Sequence, residues 1–138
     1  MLPLAACTRH DPALGPAQDI SGDYNTDVHY LHTWVVSTDN YGTVLDTSYT
    51  SPFHITYDHD TIKLSYNDYT GTALTDKLLY MKAQSGTDTL RFAGFYSYLS
   101  INAYLTFYKS TGRFKYIHKA QNNPSSGGNS IVYTIESR

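Results

Sequence analysis

The chain has 138 residues, enough for one domain with its own core. Only 16% of residues are charged, the net charge is −2 and 14 residues are tyrosine; this excludes a strongly basic nucleic-acid binder and a disordered polyelectrolyte. A single cysteine excludes an internal disulfide framework, and no stretch is long and apolar enough to span a bilayer as a helix.

In chain order the first signal is that cysteine. Leu4-Ala5-Ala6-Cys7 resembles the lipobox at which bacterial lipoproteins are cleaved and acylated. The resemblance implies that Cys7 is a lipidation site and that residues 1–7 are the remnant of a signal peptide. Only six residues precede Cys7, fewer than the apolar stretch of roughly 7–15 residues such a leader needs, so a longer leader is expected upstream. Residues 8–19 hold two prolines and a glycine without apolar period, the composition of a flexible tether. The expected location is extracytoplasmic, on the bacterial cell envelope, as an outer-membrane lipoprotein attached by acyl chains.

Residues 20–138 form the expected single domain. The first strand spans Tyr24 to Ser37, with Tyr24, Thr26, Val28, Tyr30, His32, Trp34 and Val36 on one inward face. Asp39 to Gly42 is a turn. Leu45 to Tyr57 is the second strand, with Phe53, Ile55 and Tyr57 on one face. Asp58-His59-Asp60 connects tightly to a third, Thr61 to Asn67, where Ile62, Leu64 and Tyr66 alternate with polar residues. Tyr69 to Lys77 reads as a loop and Leu78 to Gln84 as the fourth strand. The fifth is Thr89 to Tyr98, with Leu90, Phe92, Gly94, Tyr96 and Tyr98 in one row. Gly94 there predicts a bulge, a corner or space for a ligand. Asn102 to Lys109 and Arg113 to Lys119 form a hairpin across Ser110-Thr111-Gly112, a Gly/Ser/Asn-rich loop covers Asn122 to Asn129, and Ser130 to Ser137 is last. Leu99 to Ile101 is compatible with a helical turn.

Eight short alternating strands joined by tight turns predict an all-β antiparallel meander, closed as a barrel or stacked as a β-sandwich. Ile20-Ser21-Gly22-Asp23-Tyr24, opening a long first strand after a lipobox and tether, resembles small lipocalin-like lipoproteins of Bacteroidetes-type bacteria. Lipocalins open the barrel with Gly-x-Trp; here the third position is Tyr24, and Trp34 lies farther along. The resemblance implies a lipocalin-like, eight-stranded barrel and no particular ligand.

The candidate chemistry is sparse. His29 and His32 fall on opposite faces of a strand and cannot share a metal. His54, His59 and His118 converge only if the fold brings them together. Asp58-His59-Asp60 reads as turn bonding, and no Gly-x-Ser-x-Gly elbow is present. The expectation is therefore no enzyme, no catalytic residues, no cofactor and no metal. The alternation of basic and aromatic residues from Arg113 to Lys119 fits a barrel wall, with aromatics inside and cations outside, and no nucleic-acid partner is expected. Charge divides along the chain. Residues 1–60 hold eight aspartates and one arginine, a balance of −7, and residues 61–138 balance at +5. The expectation is that the two halves neutralise each other in the fold.

Two readings of function follow. In the first, a lipid-anchored envelope protein binds a small apolar or amphipathic ligand in a barrel lined by Tyr30, His32, Trp34, Tyr57, Tyr66, Phe92, Tyr96 and Tyr116. The same residues would otherwise fill a solid core. In the second, the core is filled and exposed tyrosines such as Tyr41, Tyr49, Tyr69, Tyr104 and Tyr108 recognise an envelope protein or glycan.

Overall fold

The computed structural model describes residues 15–37, 40–96, 101–121 and 128–138. The fold is an eight-stranded antiparallel barrel in which each strand pairs with the next and the last closes on the first. A single turn of helix α1 (Pro16–Asp19) precedes β1 (Gly22–Ser37), β2 (Asn40–Asp58), β3 (Thr61–Asn67), β4 (Ala73–Tyr80), β5 (Thr89–Tyr96), β6 (Ile101–Tyr108), β7 (Arg113–Gln121) and β8 (Gly128–Ser137). A 3-10 turn, Lys82–Gln84, lies between β4 and β5. The barrel alternative holds and the sandwich does not: closure removes the two edges that a sandwich would leave. Cys7 and the tether up to residue 14 lie outside the described residues, as do Leu99 and Ser100 of the expected helical turn, whose last residue, Ile101, begins β6, and residues 122–127 of the expected loop at Asn122 to Asn129.

Alternation drives the fold. On β3, Ile62, Leu64 and Tyr66 are buried between more exposed Thr61, Lys63, Ser65 and Asn67. On β7, Phe114 and Tyr116 face inward between Arg113 and Lys115. Turn chemistry sets the hairpins. His59 adopts a left-handed conformation (φ 56°) between β2 and β3, and Gly112 (φ 69°) does so between β6 and β7, where a side chain would be strained. The end of the barrel bearing these two turns is called lower here. There Ala17 and Ile20 are fully buried in the core cluster, and Tyr24 Oη donates to Ile20 O at 2.7 Å. The upper end carries the β3–β4 connection.

Three boundaries differ by more than two residues from the sequence reading. β4 begins at Ala73, so residues 73–77 are strand rather than loop, and 82–84 form a 3-10 turn rather than strand. The reason lies in β3: Asn67 through Thr61 pair in unbroken register with Ala73 through Leu79, and that ladder overrides the polar look of Thr75-Asp76-Lys77. β2 extends upward to Asn40, past a bulge at Val44 between the pairs His32–Leu45 and Thr33–Thr43.

The wall is uneven. β4 and β5 share ladder register only at Leu79–Ala93 and Tyr80–Phe92, whereas β5 and β6 pair from Thr89–Tyr108 to Tyr96–Ile101. Above Ala93 the two strands part, and the parting begins at Gly94, as a corner glycine would. An open groove of about 470 Å³ lies along this seam, lined by Thr61, Lys77, Leu78, Leu79, Met81, Ala93 and Gly94.

Candidate functional site

The lower interior is solid. Phe53 is fully buried at its centre, with ring contacts to Phe114 at 4.8 Å, Tyr66 at 5.5 Å and Tyr116 at 6.0 Å. Val28, Ile55, Ile62, Leu64, Leu78, Leu90, Leu105 and Ile135 fill the space around it. Phe92 is 1% exposed and packs on Tyr80; it is a core filler, not a lining residue.

Above this layer the interior turns polar. Asp76, the second inward position of β4, sits among side chains from two other strands. Tyr66 Oη donates to its Oδ2 at 2.7 Å and Tyr116 Oη at 2.6 Å, and His118 Nδ1 lies 3.1 Å from the same oxygen. Burial alone would push the carboxyl up. The hydrogen bonds from His118, Tyr116 and Tyr66 and the charge attraction of His118 outweigh it, and the shift is downward. Asp76 is thus an ionised carboxylate, able only to accept, which places a proton on His118 Nδ1. That N–H also lies 3.3 Å from Tyr116 Oη. These bonds all fall on Oδ2. Oδ1 belongs to a side chain that is 10% exposed and borders an opening of about 310 Å³ with Lys63, Thr75 and Lys77.

A tyrosine layer continues upward. Tyr133 lies 5.9 Å from Tyr66 and 4.9 Å from Tyr30, and Tyr30 lies 4.8 Å from Tyr69. Tyr30 is buried, while Tyr69, on the β3–β4 connection, is 50% exposed, so the ring series runs from core to solvent. Tyr49 Oη donates to Asn67 O at 2.9 Å. Burial, with the negative charge of Asp68, pushes the Tyr49 phenol up to about 12. Burial and Asp76 hold Tyr66 far above the ordinary tyrosine range, and burial raises Tyr133 as well.

Of the eight expected lining residues, Tyr30, Tyr66 and Tyr116 meet in this layer. His32 stands at its edge, half-buried, with Nε2 2.7 Å from Asn129 Oδ1. The side chain of Tyr96 lies outside the described residues. Trp34 and Tyr57 require correction. Trp34 has the inward parity, but it is 44% exposed. It stands one inward position above His32, directly opposite Gly42, which offers no side chain to cover it. Tyr57 shares the face of Phe53 and Ile55 but is the last inward position before the turn at 59–60, and it is 37% exposed on the lower rim. Parity predicted the face; it carries no information about depth. Asp76, Tyr133 and His118 complete the cluster. In the sequence His118 is in step with Phe114 and Tyr116, and Tyr133 with Ile131 and Ile135, whereas Asp76 lies in the segment that reads as a loop.

The outer wall has its own order. Sequence halves map onto barrel flanks, because a meander lays the chain around the axis in order. The outward aspartates of β1 and β2 gather on one side. Asp23 pairs with His54, Asp46 with His29 at 2.6 Å, and Asp27 with Arg138 at 2.8 Å. Lys63, Arg91, Arg113, Lys115 and Lys119 project from β3, β5 and β7. The expected mutual neutralisation is met only in part: Arg138, from the second half of the chain, pairs with Asp27, while the basic residues of β5 and β7 lie away from the aspartates of β1 and β2. His29 and His32 do face opposite sides, and among the described residues no group of three or more His, Cys, Asp or Glu is arranged to hold a metal ion. The chain matches no protein-family model, no curated protein and no solved structure at a significant level.

Proposed function

We propose that this protein is a binding module of the bacterial cell envelope, held at a membrane by acyl chains on Cys7, whose barrel takes a small amphipathic ligand against the tyrosine layer of its upper half. The observation that carries the reading is the buried Asp76 carboxylate with its three donors. Burying a charge costs free energy that an apolar residue of similar size would avoid, and the lower half of this barrel shows that the chain can build an apolar core. A polar anchor among aromatic rings, beside a parting in the wall, is the chemistry of a small-molecule site. Tyr30, Tyr66, Tyr116 and Tyr133 supply the apolar faces, and Asp76 Oδ1 supplies an acceptor for a hydroxyl or amide of the ligand.

Two experiments test it. Trp34, the only tryptophan, stands at the rim above this layer, and its emission is titrated with fatty acids, bile-acid-like steroids and aromatic glycosides. A saturable change with one class, weakened by Asp76→Asn, is expected; no response to any class overturns the ligand reading. For the anchor, the chain is expressed behind a complete lipoprotein signal and the membrane fraction analysed by mass spectrometry. A mature protein beginning at diacylglyceryl-Cys7 is expected. An unmodified cysteine overturns the envelope reading.

The second reading, recognition of a protein or glycan by exposed tyrosines, is favoured by Tyr69, Tyr104 and Tyr108, at 50%, 42% and 39% exposed. Capture of a partner that is lost on Tyr108→Ala, with Trp34 emission unresponsive to small ligands, supports it over the first.

A further inference from the structure

The outer face of β5, β6 and β7 combines two features that fit one kind of partner. Tyr104, on β6, stands directly opposite Ala93 on β5 and Ile117 on β7. One outward position away lie Arg91 on β5 and Lys115 and Lys119 on β7. Tyr108 stands opposite Arg113. Strands about 4.8 Å apart make this patch roughly 10 Å wide, narrow enough to touch a flat surface despite the curvature of the barrel. The outward positions described on these three strands carry no carboxylate. The nearest are Glu136 on β8, whose Oε1 lies 3.6 Å from Lys115 Nζ, and Asp88, which accepts from Ser110 N and Oγ. In a ring of eight strands β6 lies across the axis from β2, so the aspartates of β1 and β2 point the opposite way.

We infer that this face docks on an anionic lipid bilayer, with Tyr104 and Tyr108 at headgroup level and Arg91, Arg113, Lys115 and Lys119 among the lipid phosphates. Tyrosine is a residue of the membrane interface, amphipathic like the headgroup region itself. Cations near an anionic surface each strengthen binding, and the attraction acts within a Debye length of about 8 Å at physiological salt. The aliphatic neighbours Leu79, 54% exposed, and Ile117 favour lipid over a polar polymer. The convex wall over β6 gives a flat surface a place to rest without offering a track for a chain. Acidic and basic flanks fix one orientation, because turning the barrel over would present aspartates to the same phosphates. The inference concerns the outside of the barrel and stands apart from the interior ligand site.

The test uses the full chain carrying Cys7→Ser, so that no acyl chain contributes, with vesicles of phosphatidylcholine alone or with 30% phosphatidylglycerol. Co-sedimentation with the phosphatidylglycerol vesicles only, and release by 0.5 M salt, are expected. Each Lys or Arg near such a surface strengthens binding about five-fold, so the pair Arg91→Gln and Lys119→Gln is expected to weaken partitioning about 25-fold. Asp23→Asn on the opposite flank leaves it unchanged, and circular dichroism confirms that each variant is folded. Equal binding to both vesicle types, no binding, or wild-type binding by the Arg91/Lys119 variant overturns the inference. Retention on heparin or single-stranded DNA without retention by vesicles assigns the face to a polymeric anion and overturns it too.

Discussion

Asp76 Oδ2 on β4 accepts a hydrogen bond from Tyr116 Oη on β7 at 2.6 Å, joining two strands that share no ladder. Tyr66 on β3 and His118 on β7 address the same oxygen, so the cluster ties three strands together across the interior. It does so where β4 has parted from β5 and the wall is weakest.

Removing one member should therefore cost more than a neutral hydrogen bond. A bond to a charged group contributes about 1.5–3 kcal/mol. Tyr116→Phe keeps the ring and deletes one donor to Asp76. We expect a loss in that range by urea denaturation, and a smaller loss when Asp76→Asn is already present, because the two residues share one network. Additive losses would show that the hydroxyl and the carboxylate act independently.

The same carboxylate sets an acid limit. Its folded-state affinity for protons is lowered, so the unfolded chain binds the proton more tightly. The stabilisation is fully present above the unfolded value of about 3.9 and is lost as pH falls through the lower folded value. Thermal unfolding of wild type and Asp76→Asn, compared from pH 7 to pH 2, should show the wild-type advantage shrinking below about pH 4. A constant difference would mean that Asp76 is not ionised in the fold.

At the alkaline limit the sign reverses. Tyr49, Tyr66 and Tyr133 hold their protons more tightly folded than unfolded. Their contribution is complete below the ordinary tyrosine value of about 10 and is lost as pH rises toward the folded values. Titration of tyrosinate absorbance should show a late group, Tyr49, Tyr66 and Tyr133 among them, that ionises together with unfolding. A single transition near pH 10 with the fold intact would contradict the burial of these phenols.

Position in the barrel ranks the aromatic residues. Phe53→Ala, at a fully buried position, should cost about 3–5 kcal/mol. Trp34→Ala should cost only about 1 kcal/mol, since the ring is nearly half exposed and full burial of a large apolar side chain contributes about 1.5–3 kcal/mol. Chemical denaturation of the two variants decides the ranking, and a Trp34 loss equal to that of Phe53 would place the ring in the core.

Turn conformation gives a further contrast. Gly112→Ala forces a Cβ into a left-handed conformation and should destabilise by about 1–2 kcal/mol, although nothing lies within 4 Å of the added atom. His59→Gly relieves the same strain in the β2–β3 turn and should be neutral or stabilising. Thermal midpoints of both variants measure the effect.

Apart from β4, the sequence by itself determined the strands and their faces. Period-two alternation fixes parity, as at Ile62, Leu64 and Tyr66, and the turn residues at 59–60 and 110–112 fix the hairpins, because both depend only on neighbouring positions. It determined the eight-strand meander for the same reason. Only the tertiary structure decided closure, depth and company. Trp34 and Tyr57 have the parity of buried residues, but the ends of the barrel leave them partly in water. Asp76 looks like a loop residue until Leu64 on β3 stands opposite it and tyrosines and a histidine from β3 and β7 surround its carboxylate. Those partners lie 10 to 42 residues away in the chain, and no local pattern encodes a meeting that depends on the shear and closure of the whole sheet.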